Sequence, residues 1–414
     1  MFRVIVLAFA LAAAPGLGAP DPAPARPAGP RLERVVLVMR HGVRPPTQSN
    51  AELAKYADQP WPAWPVAPGE LTPHGAETVR LMGESVRGAY RAAELLPADG
   101  CGPAGTVSVW ADGADERTQK TGEVMAAALA PGCGVKAGWT EAKPRDPIFG
   151  GPSTGECRVS PAAASESMRQ AAAGPAGSMP IGDAVARLQA IYAPKACAGG
   201  AGTCFTAESE KTAASGAMAG PFPQAAGLAE DILLEYADDK PMREVGWGRA
   251  SVADIDAVMP IHERSFAIVR AATTLAAARG APMVHVVLGA LRGEPVPGGP
   301  HSGPATSLLV LAGHDTNLVL MASVFGLAWT LPGEPDATAP STALAFELWT
   351  DHGTQYVRPV VYYETLNQLR TLKPGSARVL PLTFKDCASG PMGSCQLETL
   401  RQRALAALPP CDDR

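Results

Sequence analysis

The residues best equipped for chemistry in this chain fall into three short clusters. They are Arg40-His41-Gly42 with Arg44 in "RHGVRPPT", Arg117 in "ADERTQKTGE", and His314-Asp315 in "GHDTNL". Two guanidiniums flanking one histidine repel each other unless an anion bridges them. Phosphate suits that place, because it accepts forked hydrogen bonds from several arginines at once. In that setting His41 is a candidate nucleophile rather than a ligand, and Arg40, Arg44, Arg117 and His314 are candidate phosphate binders. Asp315 offers a carboxyl able to protonate a departing oxygen, although a plainer reading makes it the cap of a following helix. There is no Walker-type loop and no paired Cys/His spacing, so neither a cofactor nor a metal is expected.

The elements needed to hold these residues share one grammar: an apolar strand, a charged loop, then an amphipathic helix. The first strand is Val35–Met39. The second is Val107–Ala111, followed by a loop through Asp112 and a helix from about Asp115. The third is Ser307–Ala312, then Gly313-His314-Asp315 and a helix from about Thr316. Continuous apolar strands alternating with helices predict an α/β fold with a mainly parallel sheet covered on both faces. Ligands in such sheets bind beyond the carboxyl ends of the strands, where all three clusters lie. From 148 to 258 the chain becomes Ala- and Gly-rich and helical, which suggests a mostly helical domain inserted into an α/β domain formed by 31–147 and 259–414. A helix around His262–Arg279 re-enters that domain. The stretches "STALAFELWT" and "QYVRPVVYY" read as an antiparallel edge.

Composition narrows the partners. The chain has 414 residues, enough for a large core, and 46% of them are hydrophobic. A net charge of -5 argues against a nucleic-acid binder, so attraction for an anion must be local. Residues 1–19, with Arg3 before a short apolar run and small residues up to Ala19, read as an export leader. Residues 20–30 form a Pro-rich tether. No other stretch reads as a membrane span. The eight cysteines, an even number in an exported chain, imply disulfides. Loop entropy favours Cys197–Cys204 and Cys387–Cys395.

"RHGVRPPT", "WPAWPVAPGELTPHG", "ADERTQKTGE" and "GHDTNL", in this order, resemble the histidine acid phosphatases, and within them the bacterial periplasmic phytases. The similarity runs from about Arg31 to the C-terminus. It implies that His41 becomes phosphorylated, that Arg40, Arg44, Arg117 and His314 hold the phosphate, and that Asp315 is the proton donor. It also implies an α/β domain beside a helical one, and the pairs Cys101–Cys133 and Cys157–Cys411 in addition to the two above. Thr47, Glu230 and His262 match positions on the substrate side, whereas His74, His285, His301 and His352 read as structural or exposed. Gln48 stands where enterobacterial phytases carry lysine, which suggests a weaker preference for a polyphosphate. Gly42 stands where the glucose-1-phosphatase branch commonly has asparagine.

The expectation is a periplasmic, monomeric acid phosphatase acting on a small phosphate ester, free of the membrane once the leader is removed. Its optimum should be acidic, with Asp315 protonated and His41 unprotonated at the start. The alternatives are a glucose-1-phosphatase-like or broad-specificity phosphatase, a phosphoglycerate-mutase-like transferase, and a non-catalytic binder of phosphate esters. Export and disulfides speak against the transferase. The binder would need neither His41 nor Asp315.

Overall fold

A computed structural model describes residues 1, 29–141, 146–150, 159–205, 211–212, 218–219, 221–375, 377–388 and 390–409. The leader beyond Met1, nearly all of the tether and the Cys157–Cys411 pair lie outside them. The central sheet has eight strands: β1 (Arg31–Arg40), β2 (Val107–Ala111), β3 (Ala137–Gly138), β4 (Leu308–Gly313), β5 (Ala343–Asp351), β6 (Thr354–Tyr363), β7 (Arg378–Pro381) and β8 (Cys395–Gln396). Their order is β8-β6-β5-β1-β4-β2-β3, with β7 also paired to β6. The α/β class stands, and the sheet is mixed. The β1, β4, β2 and β3 half is parallel, while β5 pairs antiparallel with β1 and carries an antiparallel meander beyond it.

Strand β1 explains the rigidity of the site. From Val35 to Arg40 every residue is buried. Val36 and Val38 pack with Leu309, Leu311 and Phe346 on one face. Val35, Leu37 and Met39 pack with Leu308, Val310 and Ala345 on the other. Each such side chain contributes about 1.5–3 kcal/mol on burial, so the end of this strand is held on both sides. Helices α1 (Pro73–Ala92) and α2 (Glu116–Leu129) cover one face. Helices α6 (Thr273–Leu291), α7 (Asp315–Phe325) and α8 (Leu397–Ala407) cover the other. A separate core gathers the helices α3 (Gly182–Tyr192), α4 (Pro221–Ala237) and α5 (Val252–Val269) around Ile191, Ile232 and Ile255.

Two expectations are corrected. The helix expected at His262–Arg279 is two helices, α5 and α6, separated at Arg270–Ala272. No Gly or Pro marks the break. The backbone N–H of Thr274 instead donates to the Ser167 hydroxyl (3.1 Å), a cap supplied by another helix. Helix α6 is also long and apolar enough to cross a membrane, yet most of it is buried inside the protein. Three disulfides close as expected: Cys101–Cys133, Cys197–Cys204 and Cys387–Cys395.

Candidate active site

Register brings the three clusters together. Arg40 ends β1 opposite Gly313 of β4, and the His41 N–H donates to the Gly313 carbonyl at 3.0 Å. On the other side of β4, the Asp112 N–H donates to Ala312 O at 3.0 Å. The carboxyl ends of β1, β4 and β2 therefore sit side by side. Beyond β1 the chain runs against the start of α1. A Cβ on Gly42 would lie 2.2 Å from the Gly75 carbonyl oxygen, and one on Gly75 would lie 2.2 Å from the Val43 oxygen. Backbone meets backbone there, with space for neither side chain.

His41 is buried, and its Nδ1–H donates to the Gly42 carbonyl at 2.8 Å. That bond fixes the tautomer and leaves the lone pair on Nε2, as a nucleophile requires. Burial, then the charges of Arg117, Arg44 and Arg40, hold the imidazole well below its ordinary pKa of about 6.5. His41 therefore stays neutral in acid.

The arginine pair has a counter-ion that the sequence reading did not give it. Glu230, from α4, binds Arg40 through Oε1 and approaches Arg44 Nη2 through Oε2 at 3.4 Å. The Glu230 carboxylate thus bridges the two guanidiniums and offsets their mutual repulsion. The Nε atoms of Arg40 and Arg44 are buried without a hydrogen-bond partner among the described residues, so donors remain for an incoming anion. Arg40 Nη1 is held further by Asp336 (2.9 Å) and the Thr338 carbonyl (2.7 Å). Glu230→Gln should remove the bridge but keep the shape. Breaking a buried pair in this way typically costs about 3–5 kcal/mol. The variant should melt lower than the parent, and inorganic phosphate should raise its Tm by more than it raises the parent's. Equal phosphate shifts in the two chains would show that Glu230 does not neutralise the pair.

Arg117 Nη1 donates to Gly69 O (3.2 Å) and to Asp115 (3.1 Å). His314 donates from Nε2 to Asp112 at 2.9 Å and stands edge-on to His41 with ring centroids 5.6 Å apart. Asp112, Asp115 and His314 have ligand atoms within 4.8 Å of one another. Their existing bonds to one another and to Arg117 account for that closeness.

Asp315 stands at the first turn of α7. Its Oδ1 accepts from the Thr316 N–H and hydroxyl, and its Oδ2 lies 3.6 Å from Arg40. Burial alone would raise its pKa, but the guanidiniums of Arg40 and Arg44 outweigh burial and hold it well below the usual carboxylate range. That direction runs against the expectation of a protonated Asp315 at the start, because the neighbouring guanidiniums favour its ionised form.

The remaining candidates differ in placement. Thr47 and Gln48 are exposed and line a pocket of about 210 Å³ that reaches Arg44, Glu230 and Asp231. His262 is buried against Phe266, with Nδ1 3.3 Å from Ala226 O. His74 donates to Leu369 O, and His285, His301 and His352 are exposed, as expected.

Sequence reasoning missed Arg270 and Arg279. With Arg117, His314 and Asp315 they line a cavity of about 600 Å³. Burial, then Arg270, pushes Arg279 below the usual guanidinium range, and its buried Nη1 has no hydrogen-bond partner among the described residues. No local pattern in their Ala-rich stretch announces them.

A family model described as the histidine phosphatase superfamily (branch 2) matches residues 31–168. The chain is 31% identical to the phytase AppA of Escherichia coli (strain K12), over 90% of this chain and 91% of that one. It is 25% identical to a glucose-1-phosphatase of Salmonella typhimurium, over 95% and 96% of the two chains. The fold superposes on the Hafnia alvei phytase, solved with tartrate and also with myo-inositol hexakis sulphate, with a TM-score of 0.83 at 30% identity. The match covers 93% of this chain and 99% of that one. This chain belongs to branch 2 of the histidine phosphatase superfamily and is a phosphoric monoester hydrolase.

Proposed function

We propose that the protein is an exported acid phosphatase of phytase type, attacking one phosphate of an inositol polyphosphate through a phosphohistidine. His41 Nε2 attacks phosphorus, and Arg40, Arg44, Arg117 and His314 hold the equatorial oxygens. Asp315 gives a proton to the departing alcohol and then takes one from the water that hydrolyses the phosphohistidine. Since Arg40 and Arg44 favour the ionised form of Asp315, that proton enters with a monoanionic substrate phosphate. The second phosphate ionisation lies near about 6, which favours an acidic optimum. The reaction as proposed uses side chains alone. Export is supported by the leader-like sequence and by three disulfides among the described residues.

The observation that carries the polyphosphate reading is the second arginine pair. Arg40 and Arg44 share Glu230, whereas Arg270 and Arg279 have no ion pair among the described residues and share a cavity with the catalytic groups. Two such cations suit a substrate with phosphates beyond the one being cleaved. They also supply the charge that Gln48 does not, so preference for phytate need not fall as the sequence suggested.

Phosphate release from phytate, glucose 1-phosphate and an aryl phosphate tests this. In Arg270→Ala/Arg279→Ala, kcat/KM for phytate should fall roughly 100-fold, the scale of two lost charge-assisted contacts. The aryl phosphate should lose far less. Equal losses would remove the second subsite. Inert phytate beside rapid glucose 1-phosphate turnover would instead favour a sugar-phosphate phosphatase.

A further inference from the structure

Arg40 is aimed by a turn that takes no part in the chemistry. Residues 334–338 present two acceptors to its guanidinium, the Asp336 carboxylate at 2.9 Å and the Thr338 carbonyl at 2.7 Å. Two carboxyls, one buried and one half-buried, shape the turn. Glu334 Oε1 accepts from the Asp336 N–H at 3.1 Å, and Glu263 Oε1, from α5, accepts from the Ala337 N–H at 3.1 Å. Trp329 braces it as well, donating from Nε1 to Ala337 O at 2.7 Å. Glu334 is 5% exposed, and its Oε2 is buried with no hydrogen-bond partner among the described residues. An ionised carboxylate is far more costly in such a place than a neutral carboxyl.

We propose that Glu334 is a positioning residue for Arg40. Its protonated carboxyl holds the 334–338 turn in the shape that aims Arg40 at the phosphate, and loss of that proton weakens phosphate binding as pH rises. The proposal rests on Arg40 being a phosphate binder, as read above. The charged groups facing Glu334 are Asp336 on its own turn, Arg40 from β1 and Asp256 from α5; Glu263, also from α5, accepts from the Ala337 N–H of the same turn. Burial, then Asp336, raises Glu334 well above the usual carboxylate range, with Arg40 opposing. The carboxyl is therefore neutral in acid, and ionisation at higher pH sets a second negative charge beside Asp336. The two anions then compete for one guanidinium and strain the turn. A cleft of about 420 Å³, lined by Glu263, Glu334, Phe266, Trp329 and Leu331, opens on this side of the turn and lets the proton exchange without disturbing substrate.

Sulfate is the probe, because it mimics phosphate but keeps one charge state across the working range. Its Kd is measured by calorimetry from about pH 4.5 to about pH 8.5 on the parent, Glu334→Gln and Glu334→Ala chains. Parent affinity should fall about tenfold across the range, the effect of a one-unit shift in a linked pKa. Glu334→Gln keeps the acceptor for the Asp336 N–H and cannot ionise, so its profile should be markedly flatter. Glu334→Ala lacks the acceptor and should bind more weakly at every pH. Parallel profiles for the parent and Glu334→Gln overturn the proposal. Absence of sulfate binding by the parent at acidic pH would instead overturn the phosphate-site reading. If Glu334→Gln does not fold, the indole ¹⁵N–H signal of Trp329 is followed in the parent, assigned by its loss in Trp329→Phe. It should move with the same midpoint as the affinity. A signal fixed across the range overturns the proposal equally.

Discussion

Replacing His41 with alanine should lower turnover of every phosphomonoester by at least about 10⁴-fold, the order seen when a covalent nucleophile is deleted. The loss is chemical, because the neighbours that hold the site do not depend on the imidazole. Arg40 keeps Glu230, Asp336 and Thr338, and the His41 backbone keeps its bonds to Gly313 and Ser341. The variant should therefore fold and still bind inorganic phosphate, because the guanidiniums that hold the anion are untouched. Rapid acid quench of the parent during turnover should trap phosphate on His41. An alanine variant retaining more than about a hundredth of parental kcat would end the assignment.

Asp315→Asn has the next largest effect, and its signature is selectivity. A general acid contributes about 10²–10⁴-fold, and it matters most when the leaving group is a poor one. Phosphates of inositol or sugar alcohols should lose nearly that whole factor, while a nitrophenyl phosphate should lose far less. The pH profile should respond too. In the parent, kcat/KM for an alkyl phosphate should decline above about pH 6, as the monoanion that carries the proton disappears. The imidazole sets the acid limb, and its depressed pKa places that limb well below the usual histidine range. In the asparagine variant the alkaline decline should soften, because no carboxylate waits for that proton. Equal losses on alkyl and aryl substrates, with an unchanged profile, would leave Asp315 as only the brace of the first turn of α7.

The parts of this site that could be read in the sequence are those where local pattern and local chemistry coincide. Apolar runs ending in Arg40, Asp112 and Gly313 gave both the strands and the place of the site, since a buried parallel strand has few other ways to look. Residues contributed by tertiary approach were opaque. Glu230 was suspected only through resemblance. Its work as a counter-ion depends on how α4 leans over β1, which no spacing encodes. Arg270 lies in a helix break and Arg279 in the helix after it, whose first turn is capped by Ser167, far away in sequence. Glu334 and Asp336 look like an ordinary polar turn until Arg40 is found against it. The stretches "STALAFELWT" and "QYVRPVVYY" read in sequence only as an antiparallel edge. Nothing local showed that the first of them would pair with β1 at the centre of the sheet.

The contact between Gly42 and Gly75 bears on how such an active site can change over evolutionary time. With a carbonyl oxygen 2.2 Å from the place a Cβ would take, position 42 accepts no side chain until α1 has moved back. A side chain at position 42 therefore needs a different seating of the start of α1, around Gly75 and Val79. A single-codon exchange at position 42 should yield unfolded or inactive protein, not altered selectivity. Directed evolution toward the other branch would have to begin with residues that loosen α1 and reach position 42 last.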